Sequence, residues 1–123
     1  MRNLKAFIFI GSLLISVCLF LRQHYVATLI KGECMAPMLH NNDWGLIKKI
    51  ERPDQVRVGD VVLAWDPLNY LVLKRVHKKG YWDDDYYFYL LGDNPSLSDD
   101  SRTWGWINGW RIRGILVYPK GDQ

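Results

Sequence analysis

A chain of 123 residues has room for one small domain. With 49% apolar residues, six Trp and seven Tyr, it can build a packed core and does not read as a disordered chain. The formal charge of +3 sits in the N-terminal arm: Arg2, Lys5, Arg22 and Lys31 stand in the first 31 residues without one acid, and from Gly32 onward 12 basic residues face 13 acidic ones. A body with that balance is no footprint for nucleic acid, and none is expected as a partner.

The first predicted element is the run "AFIFIGSLLISVCLFL" (6–21), 16 residues without a charge. As a helix it rises about 24 Å, a little short of a hydrocarbon core of about 30 Å. Arg22 can snorkel and residues 25–30 are again largely apolar, so a span is feasible. The expected form is an uncleaved anchor over residues 1–24, in contact with membrane lipid. The alternatives are a cleaved signal peptide, which shares the charged start and apolar middle, and a buried core helix. No small-x-small cleavage site follows the run. Arg2 and Lys5 precede it, so the positive-inside rule leaves residues 25–123 on the non-cytoplasmic side of a single-pass protein; Arg22 and Lys31 pull the other way. Cys18 lies in the apolar run and Cys34 beyond it, which argues against a disulfide between them. These cysteines and His24, His40 and His77 have no zinc-site spacing, and no metal or cofactor is expected.

Beyond the anchor, short apolar runs alternate with turn signals: "WGLIKKI" (44–50), "VVLAW" (61–65), "YLVLKRV" (70–76), "YYFYLL" (86–91) and "IRGILVY" (112–118). Their Val, Tyr, Trp and Leu content predicts a mainly β domain, a small sheet or barrel. "DDD" (83–85) beside "KKG" reads as a solvated hairpin tip.

Three stretches carry candidate chemistry. In "GECMAPML" (32–39), Gly32 permits an unusual backbone angle and Pro37 stiffens the exit, so Cys34 could be a nucleophile on a rigid turn with its own N–H helping to hold an oxyanion. On this octapeptide alone, a small buried hydrophobe is the simpler reading of Cys34. In "LVLKRV", Lys74 and Arg75 point to opposite faces, so one of them meets the core side. A desolvated lysine can serve as a general base; a snorkelling lysine on an edge strand is the plain alternative. "LLGDNPSLSDDSRTWGWI" (90–107) is dense in turn formers. There an Asp100–Arg102 pair could pin the loop and a serine hydroxyl could orient a lysine amine.

In this order, the pieces resemble the type I signal peptidases, the serine–lysine membrane peptidases. Members of that family carry an anchor, then G-x-S-M-x-P-T-L, then a K-R-V strand, then G-D-N-x-x-x-S-x-D-S-R-x-x-G. Here these stand as Gly32 through Leu39, Lys74-Arg75-Val76, and Gly92-Asp93-Asn94 through Ser98, Asp100, Ser101, Arg102 and Gly105. The resemblance implies a β-rich peptidase domain against the membrane surface. It implies Cys34 as nucleophile, Lys74 as general base, Ser98 as the lysine's hydroxyl partner, and Asp100 with Arg102 as a supporting ion pair. Met35 and Pro37 are the substrate-binding positions it implies, with Met35 near the substrate pocket and the lipid. The expected partner is a precursor protein with an N-terminal leader. Only 15 residues separate Val76 from Gly92, and such compact members resemble the proteases proposed to mature nickel-type superoxide dismutase and the mitochondrial inner-membrane peptidases.

Two positions depart from the family pattern: Cys34 replaces the serine and Met38 the usual threonine. A thiol is far more acidic than a hydroxyl, so a thiolate beside an ammonium is one resting form and a neutral pair the other. Sulfur is also larger, and displacement of a nucleophile is costly. The expected activity is removal of a leader from a precursor. The competing readings are a pseudoprotease that binds extended peptides at the membrane, a self-cleaving serine–lysine domain, and a hydrolase pairing Cys34 with His77.

Overall fold

Residues 2–120 are described by a computed structural model. The first element, α1 (Arg2–His24), is a 23-residue helix with no buried residue. It is long and apolar enough to cross a membrane, rising about 34 Å. Its polar groups are turned inward: the Ser12 hydroxyl donates to Phe9 O and the Ser16 hydroxyl to Ser12 O, each at 2.9 Å. That is how a serine avoids an unmet hydrogen bond in an apolar medium.

The helix stops at His24, and the apolar stretch that follows is not more span. It is strand β1 (Tyr25–Leu29), because its backbone has a partner in β2 (Trp44–Lys49), with Tyr25 opposite Lys48 and Leu29 opposite Trp44. Lys49 Nζ donates to Arg22 O at 3.4 Å, occupying one of the carbonyls that a helix C-terminus leaves open.

The remaining strands are β3 (Val61–Trp65), β4 (Leu71–Trp82), β5 (Asp85–Leu91), β6 (Ile107–Asn108) and β7 (Ile112–Tyr118), with a short helix α2 (Ser101–Trp104) before β6. They form one seven-stranded antiparallel sheet in the order β1-β2-β7-β3-β4-β5-β6. The mainly β fold with a single N-terminal apolar helix is therefore observed, and each of the five predicted apolar runs falls on a strand, with Ile50 and Tyr70 one residue outside β2 and β4. The Asp83–Asp84 tip joins β4 to β5 with positive φ at both residues, 50° and 61°, the two-residue turn whose twist suits a hairpin.

β3 reads as an unbroken apolar run because both of its faces are covered. Val62 and Ala64 join Val76, Phe88, Leu90 and Ile112 in one buried cluster. Val61, with Leu63 packed against the edge, joins Ile30, Met35, Leu39, Ile47 and Leu73 in a second. Register shifts in β2/β7, β3/β7 and β4/β5 add twist and curl the sheet into a half-barrel.

The curl places two free edges near each other. β4 pairs with β3 along residues 71–75 but meets β5 only from Arg75 onward, so its first turn of strand has one open side. β1 has β2 on one side and no strand on the other among the described residues. Phe88 is 0% exposed at the centre of the first cluster. Phe88→Ala should lower stability by about 3–5 kcal/mol, read as a shift in the thermal unfolding of the detergent-solubilised chain.

Candidate active site

The connection between β1 and β2 is the turn that carries Cys34. Gly32 takes φ 84°, a value that side chains rarely adopt, and its N–H donates to Asn41 Oδ1 at 2.9 Å. Ala36 N–H donates to Glu33 O and Leu39 N–H to Met35 O, winding 33–39 into a tight coil. Glu33 staples the coil from outside. Its Oε1 accepts from Asn41 N at 3.1 Å and its Oε2 lies 2.9 Å from His40 Nδ1. The Asn41 N–H and then the His40 ring draw the Glu33 carboxyl below its ordinary value. Met35 and Leu39 anchor the coil from inside, 1% and 0% exposed.

Cys34 is a half-buried free thiol, and Cys18 an exposed one. The coil docks where β5 leaves β4. Asn94 N–H donates to Cys34 O at 2.9 Å, Asn94 Nδ2 donates to Glu33 O at 3.0 Å, and Cys34 Sγ lies 3.8 Å from Leu73 O. The Cys34 N–H donates to no group among the described residues.

Lys74 follows Leu73 on β4. Its side chain lies on the face of Val62, its partner across β3, and it is 3% exposed. Nζ donates to Ser98 Oγ at 3.1 Å, and no carboxylate pairs with it among the described residues. Ser98 Oγ in turn donates to Asp100 Oδ2 at 2.8 Å.

Asp100 is 1% exposed. Its Oδ2 also accepts from Gly92 N at 2.8 Å and Arg102 Nη2 at 2.6 Å. Its Oδ1 accepts from Arg102 Nε at 2.9 Å and Arg102 N at 3.1 Å. Burial alone would push this carboxyl up. The Arg102 guanidinium, the Gly92 N–H, the Ser98 hydroxyl and the Arg102 N–H outweigh it and hold the carboxyl far below the usual carboxylate range. The buried negative charge is thus committed to Arg102, and the buried lysine is left with a neutral hydroxyl.

Gly92 is where these pieces meet. A Cβ there would overlap the Ser98 side chain and come within 2.8 Å of Cys34 O. Only a residue without a side chain lets the Cys34 coil and the Ser98 loop close on each other.

The structure thus gathers Cys34, Lys74, Ser98, Asp100 and Arg102 around the end of β5, while among the described residues no hydrogen bond joins Cys34 Sγ to Lys74 Nζ. Met35 and Cys34 line a cavity of about 170 Å³ between residues 28–31 and residues 71–73, with Leu63 also in its lining. Pro37 is exposed, follows a cis peptide bond and is not in that lining. His77 is exposed on β4, its ring 6.3 Å from that of Tyr89.

Sequence reasoning missed a second ion pair. Arg75, on the face opposite Lys74, grips Asp93 with both Nε and Nη2 at 2.9 Å, donates from Nη1 to Gly59 O at 2.9 Å, and has Nη2 3.1 Å from Met38 Sδ. It ties the Cys34 coil, the turn before β3 and the loop after β5 together. The hydrogen bond to Asp93 raises its pKa against the opposing effect of burial. Compared with protein-family models the chain matches none, and no curated protein matches it.

Two outcomes follow from the geometry. Gly92→Ala should separate the Cys34 coil from the Ser98 loop, seen as faster alkylation of the Cys34 thiol in a Cys18→Ser background. The second concerns acid. An unfolded carboxyl titrates near 3.9 and the native Asp100 carboxyl lower, so its stabilisation is complete above the unfolded value and is lost as pH falls through the native one. Arg102→Ala removes the largest downward pull and should move the acid-unfolding midpoint to higher pH.

Proposed function

We propose that the chain is a membrane-anchored endopeptidase of the signal peptidase kind, with α1 as a single-pass anchor and Cys34 and Lys74 as its working pair. It would remove an N-terminal leader from a precursor protein on the non-cytoplasmic side. The observation that carries this reading is the buried Lys74 amine, held by Ser98 Oγ, with no counter-ion among the described residues, next to the strand residue whose carbonyl meets the Cys34 thiol.

An ammonium buried at that place would have no compensating charge, a costly arrangement unless an anion arrives beside it. A thiolate is such an anion. In the reading proposed here, Lys74 takes the thiol proton as Cys34 Sγ attacks the carbonyl carbon of the scissile peptide. The same ammonium then gives that proton to the departing amine as the C–N bond breaks, leaving a thioester. A water that gives up a proton to Lys74 attacks the thioester, the C–S bond breaks, and the sulfur regains a proton. The uncommitted Cys34 N–H is a donor for the tetrahedral oxyanion.

The two open edges supply the place for the substrate. Leu73 O faces away from β3 into the gap towards β1. An extended peptide there would hydrogen-bond to the strand edge and close the half-barrel. It would also displace the S–H···O contact, which at 3.8 Å is weak, and release the thiol. The compact body is consistent with a protease devoted to one precursor, such as a nickel superoxide dismutase precursor.

That same contact favours one other reading. A thiol directed at a strand carbonyl rather than at the amine suits a pseudoprotease that binds extended peptides and does not cut them. One experiment separates the two. The detergent-purified chain is incubated with leader-bearing precursors, with and without an alkylating reagent, and any new N-terminus is sequenced. Cleavage should appear, stop on alkylation, fall to background in Cys34→Ala, and drop about 10²–10⁴-fold in Lys74→Ala. Cleavage unchanged in both variants would overturn the peptidase reading, and peptide binding without cleavage would establish the other.

A further inference from the structure

The end of the sheet nearest α1 holds more than the start of β1. β3 runs towards this end and stops at Trp65, β4 leaves it at Leu71, and β7 enters from it at Ile112 opposite Ala64. A cavity of about 440 Å³ gathers Val26, Lys49, Trp65, Leu71 and Arg113, so the β3–β4 turn lies across from the first residues after the helix. The contact of Lys49 with Arg22 O ties the same region to α1 itself.

The β3–β4 loop pairs its own backbone N–H groups. Asp66 N–H donates to Tyr70 O at 2.8 Å, and Asp66 Oδ1 accepts from Leu68 N and Tyr70 N at 2.9 Å each. Arg111 Nη1 donates to Asp66 O at 2.9 Å, joining the loop to the segment before β7. With these groups spent internally, the loop presents apolar side chains: Leu68 is 75% exposed, Tyr70 67% and Leu71 49%, and Trp110, next to Arg111, is 64% exposed. Lys49 and Arg113 line the cavity beside Leu71, Arg111 donates to the loop at Asp66 O, and Lys48 pairs with Tyr25 at the same end of the sheet. The acids near this end are Glu51, which is exposed, Asp66, whose side chain is bonded within the loop, and Asp85, which accepts from Trp110 Nε1 at 3.3 Å and from Asn108 Nδ2 at 3.4 Å.

We propose that this loop is a second membrane contact, with Leu68 and Tyr70 seated in the lipid interface beside α1 and the basic residues against anionic headgroups. The proposal rests on the anchor in the reading above and not on its peptidase chemistry. Aromatic rings with a polar edge favour the headgroup level, and each Lys or Arg near an anionic surface adds to the attraction. A segment entering that layer is helped by paired backbone N–H groups, and those of Asp66, Leu68, Asn69 and Tyr70 are all paired within the loop. Exposure alone does not select this loop, since Trp44, Val58 and Tyr118 are also exposed. Those lie at the other end of the sheet. Trp44 pairs with Leu29, four residues along β1 from Tyr25, about 14 Å away. Position beside α1 decides the choice.

The test uses the full chain in nanodiscs of phosphatidylcholine and phosphatidylglycerol. A fluorescent label is placed on a single cysteine at position 68, 13 or 58 in a Cys18→Ser, Cys34→Ser background. A nitroxide on the lipid chains should quench the labels at 13 and 68 several-fold more than the label at 58, and aqueous iodide should show the reverse order. A label at 68 that behaves like the one at 58, while the label at 13 is lipid-quenched, would overturn this proposal and leave the anchor standing. A label at 13 untouched by the lipid nitroxide would overturn both.

Discussion

One carboxylate oxygen governs the geometry of the candidate site. Asp100 Oδ2 accepts from Gly92 N, Ser98 Oγ and Arg102 Nη2 at once, and so joins the end of β5, the loop after it and the short helix α2. A buried carboxylate is tolerable only when its lone pairs are filled and its charge is matched, and this one meets both conditions. Among the described residues no buried side-chain polar atom is left without a partner, so the network is of the fully connected kind that fixes one arrangement. The orientation of Ser98 follows from it, and through Ser98 so does the placement of the Lys74 amine.

The two ion pairs divide the labour. Asp100–Arg102 organises the lysine side and Asp93–Arg75 the cysteine side. Because Lys74 and Arg75 are consecutive on a strand, they reach opposite faces of β4. One short piece of strand thereby registers two loops against each other. Had Asp100 paired with Lys74 instead, the amine would be held in an ion pair rather than by the Ser98 hydroxyl. The guanidinium, always charged and able to meet both carboxylate oxygens, keeps that from happening.

Much of this was legible in the sequence where the determinants are local. The strand runs stood out because Val, Tyr, Trp and Leu cluster between turn formers, and the hairpin tip because the acidic cluster 83–85 beside "KKG" belongs in solvent. Lys74 and Arg75 in an apolar run meant that one of the two meets the core side, without saying which. What stayed hidden depends on distant partners. The stretch 25–30 is apolar enough to prolong a helix, and only the backbone of β2 makes it a strand. β6, two residues long, carries no periodic signal at all. The insertion of β7 between β2 and β3, which curls the sheet and opens the gap at β4, follows from pairings across the whole chain. Arg75–Asp93 spans 18 positions, and neither residue is unusual by itself. The direction of the Cys34 thiol towards Leu73 O belongs to the same class: a motif gives residue types and spacing, while a rotamer answers to its neighbours.

The junction between α1 and β1 has no linker, since His24 is the last helical residue and Tyr25 the first of the strand. With α1 across a bilayer, the domain has no tether on which to swing. The sulfur would then stand at one height above the lipid, as a blade fixed to its mount, and, on the proposed peptidase reading, a precursor would be cut according to how far its target bond emerges from the surface as much as by which residues flank it. Such an enzyme would measure before it reads.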